Sequence, residues 1–488
     1  MAAIRYYCSL KENYMNRLFS FLIILAIPFV SIAQQPLSLE KAIQIARENS
    51  LRIKQSQLGV SQSEVDLAQS RQARFPTLNL NSGFQYNLGR SVNPVTYEFE
   101  TTEFSYTNLG INSGVTLSSG NRINASIQQA KLALQSAQES LFQEADNIGL
   151  EVALGFLNVV FAQENLANAK AQLRTSQDQL DLILKSIEAG AAPTNDRYEL
   201  DAQVALREQN VTAQENTLRL AKLNLQQLLL WEDATPIEIE RPNIEALVAT
   251  LPGSLDADQI FQQALQYRHD ILSAKWNSEA AQKGIDIAKA GYWPTLTFGL
   301  GGGSGFTDNA RAPSNFQTLL TPVPGVFIDG EAVDFRTEQL VPTDFEQISL
   351  ADQLDQNMSW GLQVNLSIPI YNRRNVKSAV ERAQIGHEMA LVQEQSVKQT
   401  LRQNIEQAVA DFKASRDNLA AQRKTVESLE AAYNAAKRRY DIGQGNSFEL
   451  ATAKNNLDAS INQLTIARYD YVFKLKVIDF YLGRGLTL

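Results

Sequence analysis

The sequence predicts a mixed α and β membrane protein in which strands of membrane-crossing pattern alternate with long heptad-patterned helices, all built on an internal duplication. Three observations predict it. Four stretches alternate apolar and polar residues, the segments between them repeat every three to four residues, and the first half of the chain aligns with the second.

At the start of the chain, Arg17 precedes the apolar run Leu18 to Val30, which ends in the small-residue pattern Ser31-Ile32-Ala33. Residues 1–33 therefore read as a secretory signal peptide, with Met15 a more usual first residue than Met1. The single cysteine, Cys8, precedes this run and cannot accept lipid at the cleavage site. The processed chain then lacks thiols, which removes disulfides, cysteine metal sites and cysteine nucleophiles. No later run reaches the roughly eighteen apolar residues of a spanning helix, so a membrane crossing is expected through strands. Lys and Arg number 44 against 53 Asp and Glu, a formal charge of -9, so the basic footprint of a nucleic-acid binder is missing.

In the first alternating stretch Leu78, Leu80 and Phe84 oppose Asn79, Asn81 and Gln85. The second sets Leu109 and Ile111 against Asn108 and Asn112, the third sets Leu296, Phe298 and Leu300 against Thr295 and Thr297, and the fourth sets Leu362, Val364 and Leu366 against Gln363 and Asn365. Period two places each set on one face of a strand, and about ten residues suit a tilted strand crossing a bilayer. In hydrocarbon every backbone polar group needs a partner, and four strands leave two open edges. The barrel is therefore expected from an oligomer: two chains would give about eight strands with a filled interior, three about twelve with a lumen. Asn79, Asn81, Gln85, Asn108, Asn112, Gln363 and Asn365 are expected to face that lumen, and Leu78, Leu80, Phe84, Leu109, Ile111, Phe298, Leu362, Val364 and Leu366 to face lipid.

Residues 38–83 align without gaps on 256–301, pairing Ala46 with Ala264 and Phe75-Pro76-Thr77-Leu78 with Trp293-Pro294-Thr295-Leu296. A second register pairs Ala130 with Ala383, Asn165-Leu166 with Asn418-Leu419 and Gly190 with Gly443. The expected division is a first repeat over 37–231, a linker over 232–255, a second repeat over 256–483 and a tail over 484–488. Each repeat reads short helix, helix, strand, strand, long helix, turn, helix.

The first long helix, Asn121 to Ala189, carries a seam from Ile148 through Val152, Gly155, Val159 and Ala162 to Ile187 in steps of four and three. Its copy runs Phe412, Ser415, Leu419, Gln422, Val426 to Tyr440. At 1.5 Å per residue the helix would be about 100 Å long, roughly matched by the two shorter helices Leu51 to Phe75 and Thr194 to Trp231 placed end to end. Pro76 stops the helix at the point where the first strand begins. Between the third and fourth strands, Gly303 to Met358 carries nine Asp and Glu against two Arg and is expected as a long outer loop, longer than its counterpart Gly89 to Ser105.

Several local motifs, in this order and duplicated, make the chain resemble the TolC-type outer-membrane efflux family. They are SLEKAIQIARENS from Ser38, RFPTLNLNSGF from Arg74, LSSGNR from Leu117 with its copy IPIYNRRN from Ile368, RRYDIGQGNSFEL from Arg438 and YDYVFKLKVIDFYLG from Tyr469. The resemblance implies a homotrimeric channel, with a twelve-stranded β-barrel in the outer membrane of a Gram-negative cell and a long periplasmic α-helical barrel. It implies a periplasmic adaptor and an inner-membrane pump, proton-driven or ABC type, as partners.

The same resemblance implies a periplasmic gate and adaptor contact at the two helix turns, marked here by Gly190, Pro193 and Asp196 and by Tyr440, Gly443, Gly445 and Glu449. In the family, acids near the closed aperture favour cations and link to a tyrosine, the position of Tyr440. A basic residue that the family places two positions after the second glycine is absent, since Gly445 stands there. Read from the residues alone, Gly190 and Gly443 end helices with positive φ, and Asp196 and Glu449 are first-turn acids.

Nothing calls for a cofactor or catalysis. His269 and His387 lack a Ser-His-Asp arrangement, and Gly301-Gly302-Gly303-Ser304-Gly305 lacks the Lys-Ser/Thr of a phosphate loop and is expected to end the third strand. Four methionines and two histidines offer no soft-metal path. A trimeric surface adhesin would need four contiguous strands, whereas these come in two pairs. A soluble periplasmic adaptor would need the alternating stretches to form soluble sheet. Within the channel reading, protein secretion of the type I kind stands beside small-molecule efflux.

Overall fold

The computed structural model describes residues 36–92, 99–190, 193–231, 237–240, 255–325, 327–445 and 447–485. The signal pattern of residues 1–33, with Arg17 and Cys8, and most of 232–255 lie outside the described residues.

The order is α1 (Leu39–Asn49), α2 (Leu51–Gln72), β1 (Thr77–Val92), β2 (Phe99–Ser119), α3 (Arg122–Glu188), α4 (Asn195–Leu229), α5 (Ala257–Tyr267) and α6 (His269–Lys289), followed by β3 (Thr295–Thr307), β4 (Arg311–Pro322), β5 (Phe327–Ile328), β6 (Glu331–Ala332), β7 (Arg336–Gln347), α7 (Leu350–Gln356), β8 (Ser359–Ser367), α8 (Asn375–Asp441) and α9 (Ser447–Tyr481). Helix lengths repeat between the halves: α3 and α8 each have 67 residues, α4 and α9 each 35, α1 and α5 each 11.

Two compact units each draw on both halves of the chain. One holds the described residues of Met1–Ser50, Asp146–Asp256 and Gln407–Leu488; the other holds Leu51–Ala145 and Ala257–Glu406.

In the first unit the heptad seam becomes a core. Ile148, Val152, Val159, Ala162, Ala169 and Ile183 are buried on α3, as are Leu225 and Leu229 on α4, Phe412 and Leu419 on α8, and Tyr471, Val472 and Ile478 on α9. At Gly155 a β-carbon would lie 2.9 Å from Leu228 Cδ1, so glycine sets how closely α3 and α4 approach. Contrary to expectation, α3 contains an eighteen-residue window apolar enough, by length and composition, to cross a membrane, and half of it is buried in the chain. Along this helix Val152, Phe156, Leu157, Val159 and Val160 are buried in the single chain. Polar side chains tie the helices farther along: Arg207 on α4 donates to Gln172 Oε1 on α3 at 3.2 Å and to Asn455 Oδ1 on α9 at 2.8 Å. Ser38 caps α1, accepting from Lys41 N at 3.3 Å, and Leu37 pairs in parallel with Ile239.

The second unit holds the sheet. Its order is β1-β2-β3-β8, every pair antiparallel, with β1 and β8 at the edges. Strands of 16, 21, 13 and 9 residues differ from a uniform ten, because the β1–β2 ladder continues beyond the alternating stretch to Val92↔Phe99. The glycine run lies inside β3, not at its end. Partner strands supply a ladder on both sides, as in Gly301↔Asn112 and Gly301↔Gly361, which offsets glycine's weak strand preference.

The interval between β3 and β8 is ordered and not a plain loop. β4 and β7 form a long hairpin with register shifts near Pro313, Asn315 and Phe316, where prolines interrupt the alternation that would have revealed it. Helix α7 closes the β3 edge beyond β8. Gln353, 2% exposed, donates to Thr307 O and Ile348 O at 2.9 Å and accepts from Thr307 N at 2.9 Å, while Asn357 donates to Gly305 O at 2.7 Å.

Candidate functional site

Two places carry the candidate residues, one in each unit. The first is the polar face of the sheet. In an antiparallel ladder directly paired residues share a face. Asn79 pairs with Asn112, Asn81 with Gly110, Gln85 with Tyr106, Asn108 with Gly305, Thr116 with Thr297, Asn365 with Thr297 and Gln363 with Gly299. One continuous face thus gathers the seven polar residues singled out from the sequence, and Asn79 Nδ2 lies 3.5 Å from Asn112 Oδ1. The opposite face gathers Leu80↔Ile111, Val115↔Phe298, Phe298↔Val364 and Leu300↔Leu362, with Leu78, Phe84, Leu109 and Leu366 in the same parity. That apolar face is exposed in the single chain: Leu78, Leu80, Phe84, Leu362, Val364 and Leu366 are all open.

A feature missed from the sequence crosses the polar face. Gly299, Gly301, Gly303 and Gly305 alternate along β3 on this side, and Gly110 and Gly114 flank them on β2. Side chains are therefore sparse over the middle of the face, and a shallow hollow there is lined by Gly114, Thr116, Thr297, Gly299, Gln363 and Asn365. The glycines also allow close contact, since a β-carbon on Gly303 would sit 2.9 Å from Leu109 O and one on Gly305 would sit 2.7 Å from Tyr106 Oη. On the apolar side the indole of Trp360 lies directly over Gly302. The alternation of glycine itself was the available signal.

The second place is the pair of helix turns in the other unit. Gly190 (φ +72) and Gly443 (φ +74) end α3 and α8 in left-handed backbone, which glycine adopts without steric cost. Gly190 N donates to Ile187 O at 2.9 Å, Gly443 N to Tyr440 O at 3.0 Å and Gln444 N to Arg439 O at 2.8 Å. The connecting Ala191, Ala192 and Asn446 lie outside the described residues. Gly445 is pressed against the helix end, where a β-carbon would be 3.1 Å from Tyr440 N.

Of the two first-turn acids, Glu449 accepts a hydrogen-bonded ion pair from Arg439 Nη2. Asp196 is fixed through its backbone, its N donating to Pro193 O at 3.2 Å, and its side chain has no ion pair among the described residues. Tyr440 lines an apolar niche with Leu182, Ile183, Leu200, Leu450 and Ala451, and so joins all four helices α3, α4, α8 and α9. Arg439 was missed in the sequence, where its only signal was a base and an acid flanking the glycine turn. Both histidines make structural contacts: His269, at the break between α5 and α6, pairs with Glu139 at 2.7 Å, and His387 Nδ1 lies 3.1 Å from Ser278 O. No cluster of potential metal ligands occurs among the described residues.

A family model described as "Outer membrane efflux protein" matches residues 42–229 and 260–484. The chain is 22% identical over 416 residues to outer membrane protein TolC of Vibrio cholerae, covering 85% of this chain and 83% of that protein. It is 23% identical over 479 residues to TolC of Escherichia coli, covering 96% of this chain and 87% of that one. Among solved structures, one of CusC, described for its folding and transmembrane channel formation, superposes with a TM-score of 0.72 at 19% identity over 92% of each chain.

Proposed function

The chain belongs to the outer membrane efflux protein family, and from that membership we propose that it is the exit duct of a tripartite export system, passively conducting substrate across the outer membrane. The observation that carries this reading is the four-stranded sheet with one polar face, one exposed apolar face and two open edges. Such a sheet cannot stand in hydrocarbon alone, because its edge donors and acceptors would be unpaired. Three copies, each joining its β1 edge to the β8 edge of the next, close twelve strands around a lumen. In that closure Asn79, Asn81, Gln85, Asn108, Asn112, Gln363 and Asn365 line the path, and Leu78, Leu80, Phe84, Leu109, Ile111, Phe298, Leu362, Val364 and Leu366 meet lipid.

The heptad helices form the periplasmic conduit, and the two repeats, 37–231 and 256–483, supply equivalent staves. The turns at Gly190 and Gly443 narrow its far end, with Pro193, Asp196, Tyr440, Gly445 and Glu449 at the aperture and the adaptor contact. An adaptor and an energised inner-membrane pump complete the route, as membership of this family implies.

Cysteine pairs test the closure: one Cys on the β1 edge, at Asn79, and one on the β8 edge, at Gln363, introduced into the otherwise thiol-free processed chain. Oxidation in intact outer membranes is expected to give a covalent trimer, together with a conductance in planar bilayers. A ladder stopping at monomer, with protein recovered in the periplasmic fraction, would overturn the reading.

A further inference from the structure

We propose that the helix-side end of the sheet is a docking surface for anionic phospholipid headgroups, with Arg373 and Arg374 as its clamp. The inference rests on the reading of this sheet as the membrane-crossing part.

The backbone supplies the first observation. The two turns that lead from strand into long helix occupy equivalent places in the duplication, and each holds two successive left-handed residues: Gly120 (φ +60) and Asn121 (φ +69) in the first, Arg373 (φ +51) and Arg374 (φ +66) in the second. The first turn uses residue types that enter this region readily, whereas the second places two arginines in backbone that L side chains disfavour. Strain of this kind marks a side chain kept for a purpose. Packing is not that purpose for Arg373, which is exposed and has no hydrogen bond or ion pair among the described residues. Arg374 is exposed too, and holds Glu381 at 3.1 and 3.2 Å.

Contacts bring the neighbouring junctions together. A β-carbon on Gly291 would be 3.0 Å from Val376 Cγ2, and Gly120 lies against the Trp293 side chain. Arg74 Nη2 donates to Asn124 Oδ1 at 2.7 Å. Large apolar side chains lie open at these junctions: Phe75, Tyr292 and Trp293, with Ile370 at 95% and Tyr371 at 86% exposure.

Charge supplies the third observation. Segments 71–77, 118–124, 287–294 and 368–380 contain no Asp or Glu, while Arg71, Arg74, Arg122, Lys289, Arg373, Arg374 and Lys377 fall within them, on a chain whose net charge is -9; Glu381, just past the last segment, offsets only Arg374. Aromatic rings at the edge of an apolar band with guanidinium groups beside them match the chemistry of an interface, and planar guanidinium pairs bidentately with phosphate. A free anion would have no use for the open Ile370 and Tyr371, so the leaflet itself is the occupant.

The full-length protein is purified and incubated in mixed micelles of phosphatidylglycerol and phosphatidylcholine, and lipid retained is counted by native mass spectrometry. The wild type is expected to retain phosphatidylglycerol preferentially. R373G/R374N, which gives the second turn the residue types of the first, is expected to lose that preference roughly tenfold while its thermal midpoint holds or rises; R373K/R374K keeps most of it. Equal preference in wild type and R373G/R374N overturns the inference. Insertion into phosphatidylcholine vesicles separates the two levels: a protein that inserts but shows no headgroup preference loses only this inference, and one that fails to insert loses the membrane reading as well.

Discussion

Arg439 in the last turn of α8 reaches across the Gly443 turn and donates to Glu449 in the first turn of α9. The equivalent turn at Gly190 lacks the bridge. In the register that pairs Gly190 with Gly443, Ser186 stands where Arg439 does, and its hydroxyl donates to Leu182 O at 3.0 Å within its own helix. The two acids of the duplication therefore sit in different fields: Glu449 is held in an ion pair, while Asp196 has none among the described residues and its neighbour Arg197 turns to Asp201 at 3.2 Å.

This asymmetry predicts unequal effects on ion selectivity. D196N is expected to lower the cation preference of single channels more than E449Q, and R439A to raise it, read as reversal potentials across a salt gradient in planar bilayers. The pair is exposed, so its contribution to stability is small, on the order of 0–1 kcal/mol. Equal shifts for D196N and E449Q would place the bridge outside the conduction path.

Crowding along β3 predicts a position-dependent cost for alanine. Gly303 faces Leu109 O at 2.9 Å, whereas Gly361, on the adjacent strand, has nothing within 4 Å. G303A is expected to destabilise by about 1–3 kcal/mol, because a backbone oxygen cannot step aside, and G361A to be near neutral. Thermal unfolding of the two variants in one detergent checks the contrast.

Much of this arrangement could be read from residue order. Leu78 and Asn79 take opposite faces because period two leaves no other choice, and Pro76 ends a helix wherever the rest of the chain lies. Gly190 and Gly443 identify turns by backbone chemistry alone. What stayed hidden depended on partners remote in sequence. The β4–β7 hairpin is masked by Pro313 and Pro342, Gln353 gains meaning only when Thr307 is beside it, and Gly155 of α3 reads as a packing site only once Leu225 and Leu228 of α4 lie against it. The Arg439 bridge needed the turn to fold before the ten-residue gap could close.

Acid is expected to loosen the α8–α9 packing through Asp411. Lys474 Nζ donates to its Oδ2 at 3.2 Å, and Gln407 Nε2 donates to Oδ1 at 2.7 Å, which hold the carboxyl below its usual range. A carboxyl depressed in the folded state stabilises above its unfolded pKa, and that contribution is lost as pH falls through the folded value. The difference in thermal midpoint between wild type and D411N is therefore expected to be constant near neutrality and to shrink below about pH 4. Added salt should also reduce it, since both side chains are partly exposed.

Tyr471 gives the last prediction, and its sign runs against the usual cost of core substitution. Its ring is fully buried against Phe412, centroids 5.3 Å apart, yet its hydroxyl has no hydrogen-bond partner among the described residues. Burial pushes its ionisation upward, with Arg416 and Arg423 opposing, so the group stays neutral and simply unpaired. An orphaned buried hydroxyl carries a desolvation penalty that the ring contact does not repay. Y471F keeps the ring and removes the penalty, so it is expected to stabilise by about 1 kcal/mol, whereas Y471A, which empties the site, should cost about 3–5 kcal/mol. Thermal midpoints followed by helical circular dichroism decide it: a Y471F protein less stable than wild type would mean that the hydroxyl finds a partner in the assembled channel.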